Sequence, residues 1–466
     1  MGTKLYETVA DDIAGMIARG VLLPGERLPS VRQQRELRAI SASTVFEAYY
    51  LLEARGLVVA RARSGYFVAP RHAPEPEKSN PEKASKRVDV SELVFEVLGA
   101  ARERDIVPFG SAFPGPDLFP LAQLARVTAS SLRQLDPWST VADITPGNAD
   151  LRRLLAQRYQ QDGALVGSDD IVITNGALEA LNLCLQAVTQ PGDSVIIESP
   201  SFYAALQALE RLDLKALEVA TDPREGIDLD ALAAALAKHR PKACWLMTSF
   251  HNPMGSLMPP AKKQALVALL ASHGVPLIED DVYGELYFGS SRPALAKSFD
   301  RDGLVMHCSS FSKCLAPGFR IGWAAPGRYL QAVQRLKLST SLAAPMPSQL
   351  ALAAYLARGG YERHLRQLRS ALERRQERML DAIARHLPPS VRVTRPRGGY
   401  FLWLELAGVD ALDLHRRALE EGISIAPGPI FSARREFRHC IRLNYGHEWS
   451  ARFDAAMATL GRLIAG

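Results

Sequence analysis

Residues 71–90 read RHAPEPEKSNPEKASKRVDV, with three prolines, a dense mix of charges and few apolar side chains. Such a stretch has too little apolar surface to offset the entropy of ordering it, and it reads as a linker rather than a packed element. It therefore divides the 466-residue chain into a short head, residues 1–70, and a long body, residues 91–466. Twenty residues reach roughly 25 Å as flexible coil and about 60 Å as a polyproline helix. A head on such a tether can dock on a neighbouring subunit as readily as on its own body.

The head has a local pattern of its own. Leu5, Val9, Ile13 and Ile17 recur at helical spacing, so the sequence predicts a helix over 5–18. Pro24-Gly25 breaks it. Ser30 is placed to cap a second helix from Val31 to about Arg38, and either Ser41 or Ser43 a third that runs to Gly56. Leu57–Ala60 and Tyr66–Val68 are short apolar strands around the turn Arg61-Ala62-Arg63-Ser64-Gly65. Three helices and a two-stranded wing describe a winged helix-turn-helix. Residues 27–63 hold seven arginines (Arg27, Arg32, Arg35, Arg38, Arg55, Arg61, Arg63) against three acids, 7 − 3 = +4, within a chain whose net charge is only +6. Positive charge concentrated on such a module favours a polyanion.

In the body, apolar runs at Ile171–Thr174, Ser194–Glu198, Ala243–Thr248, Pro276–Asp280 and Val305–Ser309 alternate with helical stretches such as Ala177–Val188 and Pro260–His273. That alternation predicts an α/β fold on a doubly wound, mainly parallel sheet. Tyr400–Leu406 and Ile441–Asn444 are predicted strands of a smaller α+β C-terminal lobe. With 47% hydrophobic and 23% charged residues the chain has an ordinary globular composition. The five cysteines are scattered without CxxC spacing, and the ten histidines form no HExxH, so neither disulfides nor a metal site is expected. Charged residues from Lys4 to Arg19 interrupt the region where a signal peptide would be apolar, so the expected location is the cytoplasm.

The chemistry gathers around Ser309-Ser310-Phe311-Ser312-Lys313, with Arg320 seven residues on. A cofactor aldehyde needs a lysine amine kept partly neutral by burial and nearby positive charge. Ser310, Ser312 and the forked guanidinium of Arg320 suit a phosphate. Asn175-Gly176-Ala177 lies between a strand and a helix, where backbone amides can hold a phosphate dianion. Asp280 ends an apolar strand, where an anion can keep a pyridine nitrogen protonated, and Asn252 and Tyr283 can bond a phenolic oxygen.

With these motifs in place, residues 91–466 resemble the fold type I, class I/II aminotransferase family. The resemblance implies pyridoxal 5'-phosphate (PLP) with Lys313 as Schiff-base lysine and Asp280 as partner of the ring nitrogen. Asn252 and Tyr283 would be its phenolate partners, Phe202 its ring-stacking residue, and Gly176, Ala177, Ser310, Ser312 and Arg320 its phosphate cup. Arg442 matches the arginine that grips a substrate α-carboxylate. Leu178 and Ala142 replace polar residues that the family often carries near the phosphate.

Residues 1–70 resemble the GntR winged-helix family through Leu23-Pro24-Gly25-Glu26-Arg27-Leu28-Pro29-Ser30-Val31-Arg32, Ser43-Thr44-Val45 and Ser64-Gly65-Tyr66-Phe67-Val68. That implies phosphate contacts from Arg27, Ser30 and Arg32, a recognition helix opened by Ser43 and Thr44, and Arg63 with Gly65 in the minor groove. Gln34 and Arg35 stand where Leu-Ala is frequent, and Ala42 where an arginine is common. Head, linker and body together resemble the MocR-type regulators. They imply a PLP-dependent transcription regulator that binds operator DNA, senses an amino acid or amine, and forms a homodimer with heads packed across subunits. The alternative is an active aminotransferase with an accessory DNA-binding head.

Overall fold

The computed structural model describes residues 4–19, 21–22, 25–61, 64–69, 74–100, 105–138 and 144–466. Pro24, Arg63, Ala142 and the first residues of the expected linker lie outside the described residues. Two compact units divide the chain, one holding Met1–Ala73 with Met379–Pro389, the other Pro74–Arg378 and Ser390–Gly466.

In the head, helix α1 (Leu5–Ala18) buries Val9, Ile13 and Ile17, the middle and end of the predicted apolar stripe, while Leu5 stays exposed. Helix α2 (Val31–Arg38) is capped by Ser30, whose Oγ accepts from the Gln33 amide at 3.3 Å while the Gln33 side chain accepts from the Ser30 amide at 2.8 Å. This reciprocal pair satisfies two amides that the helix cannot bond itself. Helix α3 (Ala42–Ala54) is capped by Ser41, which accepts from the Thr44 amide at 3.2 Å. Of the two serines the sequence offered, Ser43 therefore sits inside the first turn. Strands β1 (Val58–Arg61) and β2 (Gly65–Val68) pair antiparallel from Val58↔Val68 to Arg61↔Gly65. Leu28 and Val68 add backbone bonds between the wing and the segment that carries Arg27. The wing closes over a core that includes Val9, Ile13, Val45, Tyr49, Leu52, Val58 and Val68. Gln34 is buried against Tyr49, whose hydroxyl donates to the Pro29 carbonyl at 2.6 Å. A polar residue thus replaces the usual apolar packing of α2 by a satisfied contact.

The body's strands, in chain order, are β3 (Lys86–Arg87), β4 (Val172–Thr174), β5 (Ser194–Ser199), β6 (Lys215–Asp222), β7 (Gly226–Ile227), β8 (Ala243–Leu246), β9 (Leu277–Asp280), β10 (Val305–Ser310) and β11 (Gly322–Ala325). Among the described residues they form a nine-stranded sheet ordered β3-β6-β5-β8-β9-β10-β11-β4, with β7 on β6. From β6 to β10 the pairing is parallel. Its strands read as unbroken apolar runs because helices cover both faces. The expectation for Ile171–Thr174 holds in direction: β4 runs the same way as the parallel strands, being antiparallel to a strand that is itself antiparallel to β10. β11, which no sequence pattern singles out, lies between β10 and β4 and pairs antiparallel with both. The four-stranded antiparallel sheet of β12 (Arg392–Val393), β13 (Phe401–Glu405), β14 (Ala426–Pro427) and β15 (Cys440–Asn444), in the order β12-β13-β15-β14, forms the smaller lobe.

Residues 74–90 also depart from expectation. They are docked along the body. β3 extends the sheet edge at β6, through Lys86↔Ala216 and Arg87↔Lys215. The Ser79 amide donates to the Thr221 carbonyl at 3.2 Å, and Ser79 Oγ accepts from the Thr221 amide at 2.8 Å. Pro76, Pro81, Val88 and Val90 are buried. The charges that made the stretch look solvated are spent on body partners: Glu75 on Arg224, Glu77 on Arg392, Lys78 on Asp228 and Glu82 on Arg434. Prolines are compatible with such an edge, where few amides need partners. Among the described residues no helix is long and apolar enough to cross a membrane.

Candidate functional site

The site forms at the carboxyl ends of the parallel strands, where an open α/β sheet leaves a crevice. Register Cys308↔Asp280 puts the end of β9 beside β10, and the chain leaves β10 directly into the turn that carries Lys313. Lys313 Nζ donates to the Ala112 carbonyl at 2.9 Å and stands 3.6 Å from the centre of the Phe113 ring. Burial, helped by the positive charge of Arg442, pulls its pKa down to about 7, against the pull of Asp280. That is a lysine amine with a substantial neutral fraction near pH 7.

Asp280 and Asp281 are adjacent carboxylates with opposite fates. Both oxygens of Asp280 are buried and have no partner in full hydrogen-bond geometry, although the Val282 amide and the Trp245 indole lie close enough to favour its charged form. Burial, then the charge of Asp281, pushes the Asp280 carboxyl up to about 7. Asp281 is just as buried, but Arg292 at 2.6 Å and His307 at 3.3 Å hold it well below the usual carboxylate range. A buried carboxylate left without a well-placed donor is an acceptor awaiting a cationic or N–H partner.

Arg442, on β15, is fully buried. Its Nη1 donates to Asn252 Oδ1 at 3.0 Å, and its Nη2 to the carbonyls of Gly110 at 2.6 Å and Ser111 at 3.2 Å. The guanidinium lies 4.2 Å from the Phe401 ring centre and 5.3 Å from that of Phe431, a desolvated cation–π sandwich. The Nδ2 of Asn252 is buried without an acceptor. Tyr283 is buried edge-on to Tyr400 at 5.3 Å, and burial raises its phenol above the ordinary range while Arg442 opposes.

At the other end, Gly176 caps the helix Ala177–Val188 with φ +83°. A methyl there would come within 3.0 Å of Arg320 Cζ, and one on Gly322 within 2.6 Å of the Ala177 amide nitrogen. Only glycines permit this close approach of backbone and guanidinium. Arg320 donates to Ser312 Oγ at 3.3 Å and to the Asn175 carbonyl at 3.4 Å, and the Ser312 amide to Ser310 Oγ at 3.4 Å. The result is a cradle of helix-terminal amides, hydroxyls and one arginine. Phe202 caps the next helix, with its ring 4.8 Å from that of Tyr203. Leu178 is exposed and points no polar group at the cradle.

These observations test whether PLP fits. An unpartnered buried carboxylate, an unpartnered amide, a low-pKa lysine and a Cβ-free anion cradle are the complement of its ring nitrogen, phenolic oxygen, aldehyde and phosphate. The residues fit the group.

Several site residues escaped the sequence reading. Segment 110–113 lies over the pocket: Ala112 O accepts from both Lys313 and the Tyr400 hydroxyl, and Asn444 Nδ2 donates to Ser111 O and Phe113 O. Nothing in Gly110-Ser111-Ala112-Phe113 signals this, because it contributes carbonyls rather than side chains. Tyr400 follows Gly398-Gly399, a weak local marker.

In the head, Arg27 and Arg32 are exposed, Arg32 paired with Glu36 at 3.1 Å. Ser30 and Thr44 take part in helix caps. Ser43 Oγ bonds Ser41 Oγ at 2.8 Å. Gly65 opens β2 with φ +99° beside the Arg27 side chain.

Fold and site together define a winged-helix head on a PLP-type aminotransferase body. The bacterial regulatory proteins of the gntR family match residues 5–68, and aminotransferase class I and II matches residues 137–451. The uncharacterized HTH-type transcriptional regulator YdcR of Escherichia coli K12 is 50% identical over 463 residues, 99% of each chain. A second from that organism, YjiR, is 36% identical over 466 residues, 98% of each chain. Among solved structures, LysN, the α-aminoadipate aminotransferase of Thermus thermophilus complexed with N-(5'-phosphopyridoxyl)-L-leucine, superimposes with a TM-score of 0.72 and 32% identity, over 81% of this chain and 99% of that one. The chain belongs to the MocR-type family, GntR-headed transcription regulators built on a class I and II aminotransferase domain. Its cofactor is PLP.

Proposed function

We infer that the protein regulates transcription by reading an amino acid or amine in the Lys313 pocket and transmitting its presence to the DNA-binding head. The observation that carries this is the pairing of a buried lysine of lowered pKa with the unpartnered Asp280 carboxylate in one pocket, on a chain that also carries a GntR-type head.

When bound, PLP supplies an electrophilic aldehyde on an electron-withdrawing ring. Lys313 presents the neutral amine that holds it. Asp280 would keep the ring nitrogen's proton in place, and Asn252 and Tyr283 would bond the phenolic oxygen. Gly176, Ala177, Ser310, Ser312 and Arg320 bind the phosphate, and Phe202 covers a ring face. Arg442 binds a ligand carboxylate by its two-pronged edge. To do so it exchanges the carbonyls of Gly110 and Ser111 for the ligand, so a carboxylate competes with segment 110–113. That competition supplies the differential affinity without which a ligand shifts no equilibrium. In the head, Arg27, Ser30, Arg32 and Arg63 contact phosphates or grooves, and Ser43, Thr44 and Gly65 position the reading elements. By the aminotransferase architecture the working unit is a homodimer, with heads packed across subunits and paired operator half-sites. Its relatives are bacterial DNA-binding regulators, which makes the cytoplasm the proposed location.

A gel shift on the upstream DNA, with PLP-loaded protein and a panel of amino acids and amines, tests this. The expected result is sequence-specific binding that changes with a ligand, a change lost in Arg442→Gln when the ligand carries a carboxylate. Rapid amino-acid turnover with binding indifferent to every ligand would favour the enzyme reading instead.

A further inference from the structure

The face that α3 offers to DNA has an unusual chemistry. Ser43, Phe46, Glu47 and Tyr50, spaced i, i+3, i+4 and i+7, are all exposed, opposite the buried Val45, Ala48, Tyr49 and Leu52. From Ala42 to Ala54 the helix has no lysine, arginine, asparagine or glutamine. Phe46 is 42% and Tyr50 59% exposed, their rings stacked at 6.4 Å, with Tyr50 edge-on to Tyr66 of the wing. Glu47 has no hydrogen bond or ion pair among the described residues.

The positive charge lies beside this face rather than on it. Arg32 and Arg35 belong to α2, and Arg27 to the segment bridging to β2. Arg38 and Arg55 are paired within the head, with Asp12 at 2.7 Å and Asp11 at 2.5 Å. Phosphate attraction therefore comes from the flanks, and base reading on this face is left to an aromatic ring, a carboxylate and the unselective Ser43 hydroxyl.

Base edges in the major groove are chemically distinct. Guanine is bound through its O6 and N7 acceptors by Arg or Lys, and adenine by Asn or Gln. This helix has neither kind. A ring such as Phe46 gains from the C5 methyl of thymine, and a carboxylate such as Glu47 can only accept, which singles out the N4 amino group of cytosine. Opposite an acceptor edge, or a phosphate, Glu47 is repelled.

We propose that the α3 face reads pyrimidines: Phe46 detects a thymine by its methyl group, and Glu47 a neighbouring cytosine by its amino group. This rests on the head binding operator DNA as inferred above. An exposed, stacked aromatic pair on a head whose Arg27 and Arg35 are also exposed suits an anionic duplex displaying methyl groups.

The test uses full-length, PLP-loaded protein and a randomised duplex library, followed by single thymine-to-uracil substitutions in the enriched site. Removing one buried methyl should weaken binding about fourfold at one position per half-site. Phe46→Ala, exposed enough to leave the fold intact, should bind thymine and uracil sites alike, while Phe46→Leu keeps the difference. Glu47→Gln should shift the neighbouring preference from cytosine to adenine. An enriched site with guanine at these positions and no uracil effect would overturn the proposal while leaving the DNA-binding reading intact. No enriched site at all overturns both. A Phe46→Ala variant with altered subunit association and unchanged base preference would make the face a protein interface and refute the assignment.

Discussion

Asp280→Asn separates what the pocket needs when empty from what it needs when loaded. In the cofactor-free protein, burial and Asp281 raise the Asp280 carboxyl from 3.8 to about 7. Below pH 4 the folded and unfolded chains both hold the proton, and the favourable contribution is complete. As the pH rises towards 7 the unfolded chain releases its proton while the folded one retains it, so stability is lost, and the loss is complete above 7. A difference of about three pH units corresponds to about 4 kcal/mol. An asparagine does not titrate, though its buried amide left unbonded costs about 1–3 kcal/mol. The net expectation at pH 8 is that cofactor-stripped Asp280→Asn is more stable than the parent by about 1–3 kcal/mol. By pH 5 the advantage should vanish or reverse. Urea unfolding of the stripped proteins at both pH values reads this directly. With PLP added the order should invert, because the parent alone offers a carboxylate to the ring nitrogen and so gains more from ligation. If the variant is less stable than the parent by the same amount at pH 5 and pH 8, Asp280 is an ordinary ionised, solvated carboxylate and the argument fails.

Three further outcomes follow from the geometry. In stripped protein, acetylation of Lys313 followed by peptide mass spectrometry should show half-maximal reactivity near pH 7, and a midpoint shared with surface lysines would contradict its environment. Gly176→Ala places a methyl 3.0 Å from Arg320 Cζ at φ +83° and should weaken PLP binding about tenfold, a loss of about 1.4 kcal/mol, by fluorescence titration. Gly192→Ala, at φ +90° with nothing within 4 Å, is the control that carries the backbone strain alone. Glu210→Ala removes an oxygen that accepts at 2.9 Å from the Val90 amide, the Ser91 amide and Ser91 Oγ, and should cost about 1.5–3 kcal/mol. It should also open residues 74–90 to limited proteolysis, and unchanged protease resistance would mean that the strap is held elsewhere.

That strap, residues 74–90, is where local reasoning failed most clearly. Prolines and charges reported correctly that the segment lacks a core of its own. They were silent on Arg224, Arg392, Asp228 and Arg434, which supply its partners from 149 to 352 residues further along the chain. β11 was missed for a related reason. Gly-Trp-Ala-Ala is too short an apolar run to declare a strand, and only its pairing with β10 and β4 makes it the antiparallel member between them. Lys313, Asp280, Asn252 and Arg442 were legible as candidates, because polar residues in apolar surroundings stand out in a string of letters. The carbonyls of Gly110, Ser111 and Ala112 could not, since every residue carries one.

The amino-acid sequence alone determined the winged-helix elements and their stops, the alternation that makes an α/β body, and the residue types able to hold a phosphate, an aldehyde and a carboxylate. Caps, periodicities and turn residues act over a few positions, and their physics is complete within that window. Tertiary structure alone decided which aspartate of the Asp280-Asp281 pair stays unpartnered, which strand joins β10 to β4, and which backbone segment covers the pocket. Each depends on burial and on partners outside the local window, from 11 residues away for Arg292 on Asp281 to 201 for Lys313 on Ala112, and a carboxylate's charge is settled by the groups that surround it in space.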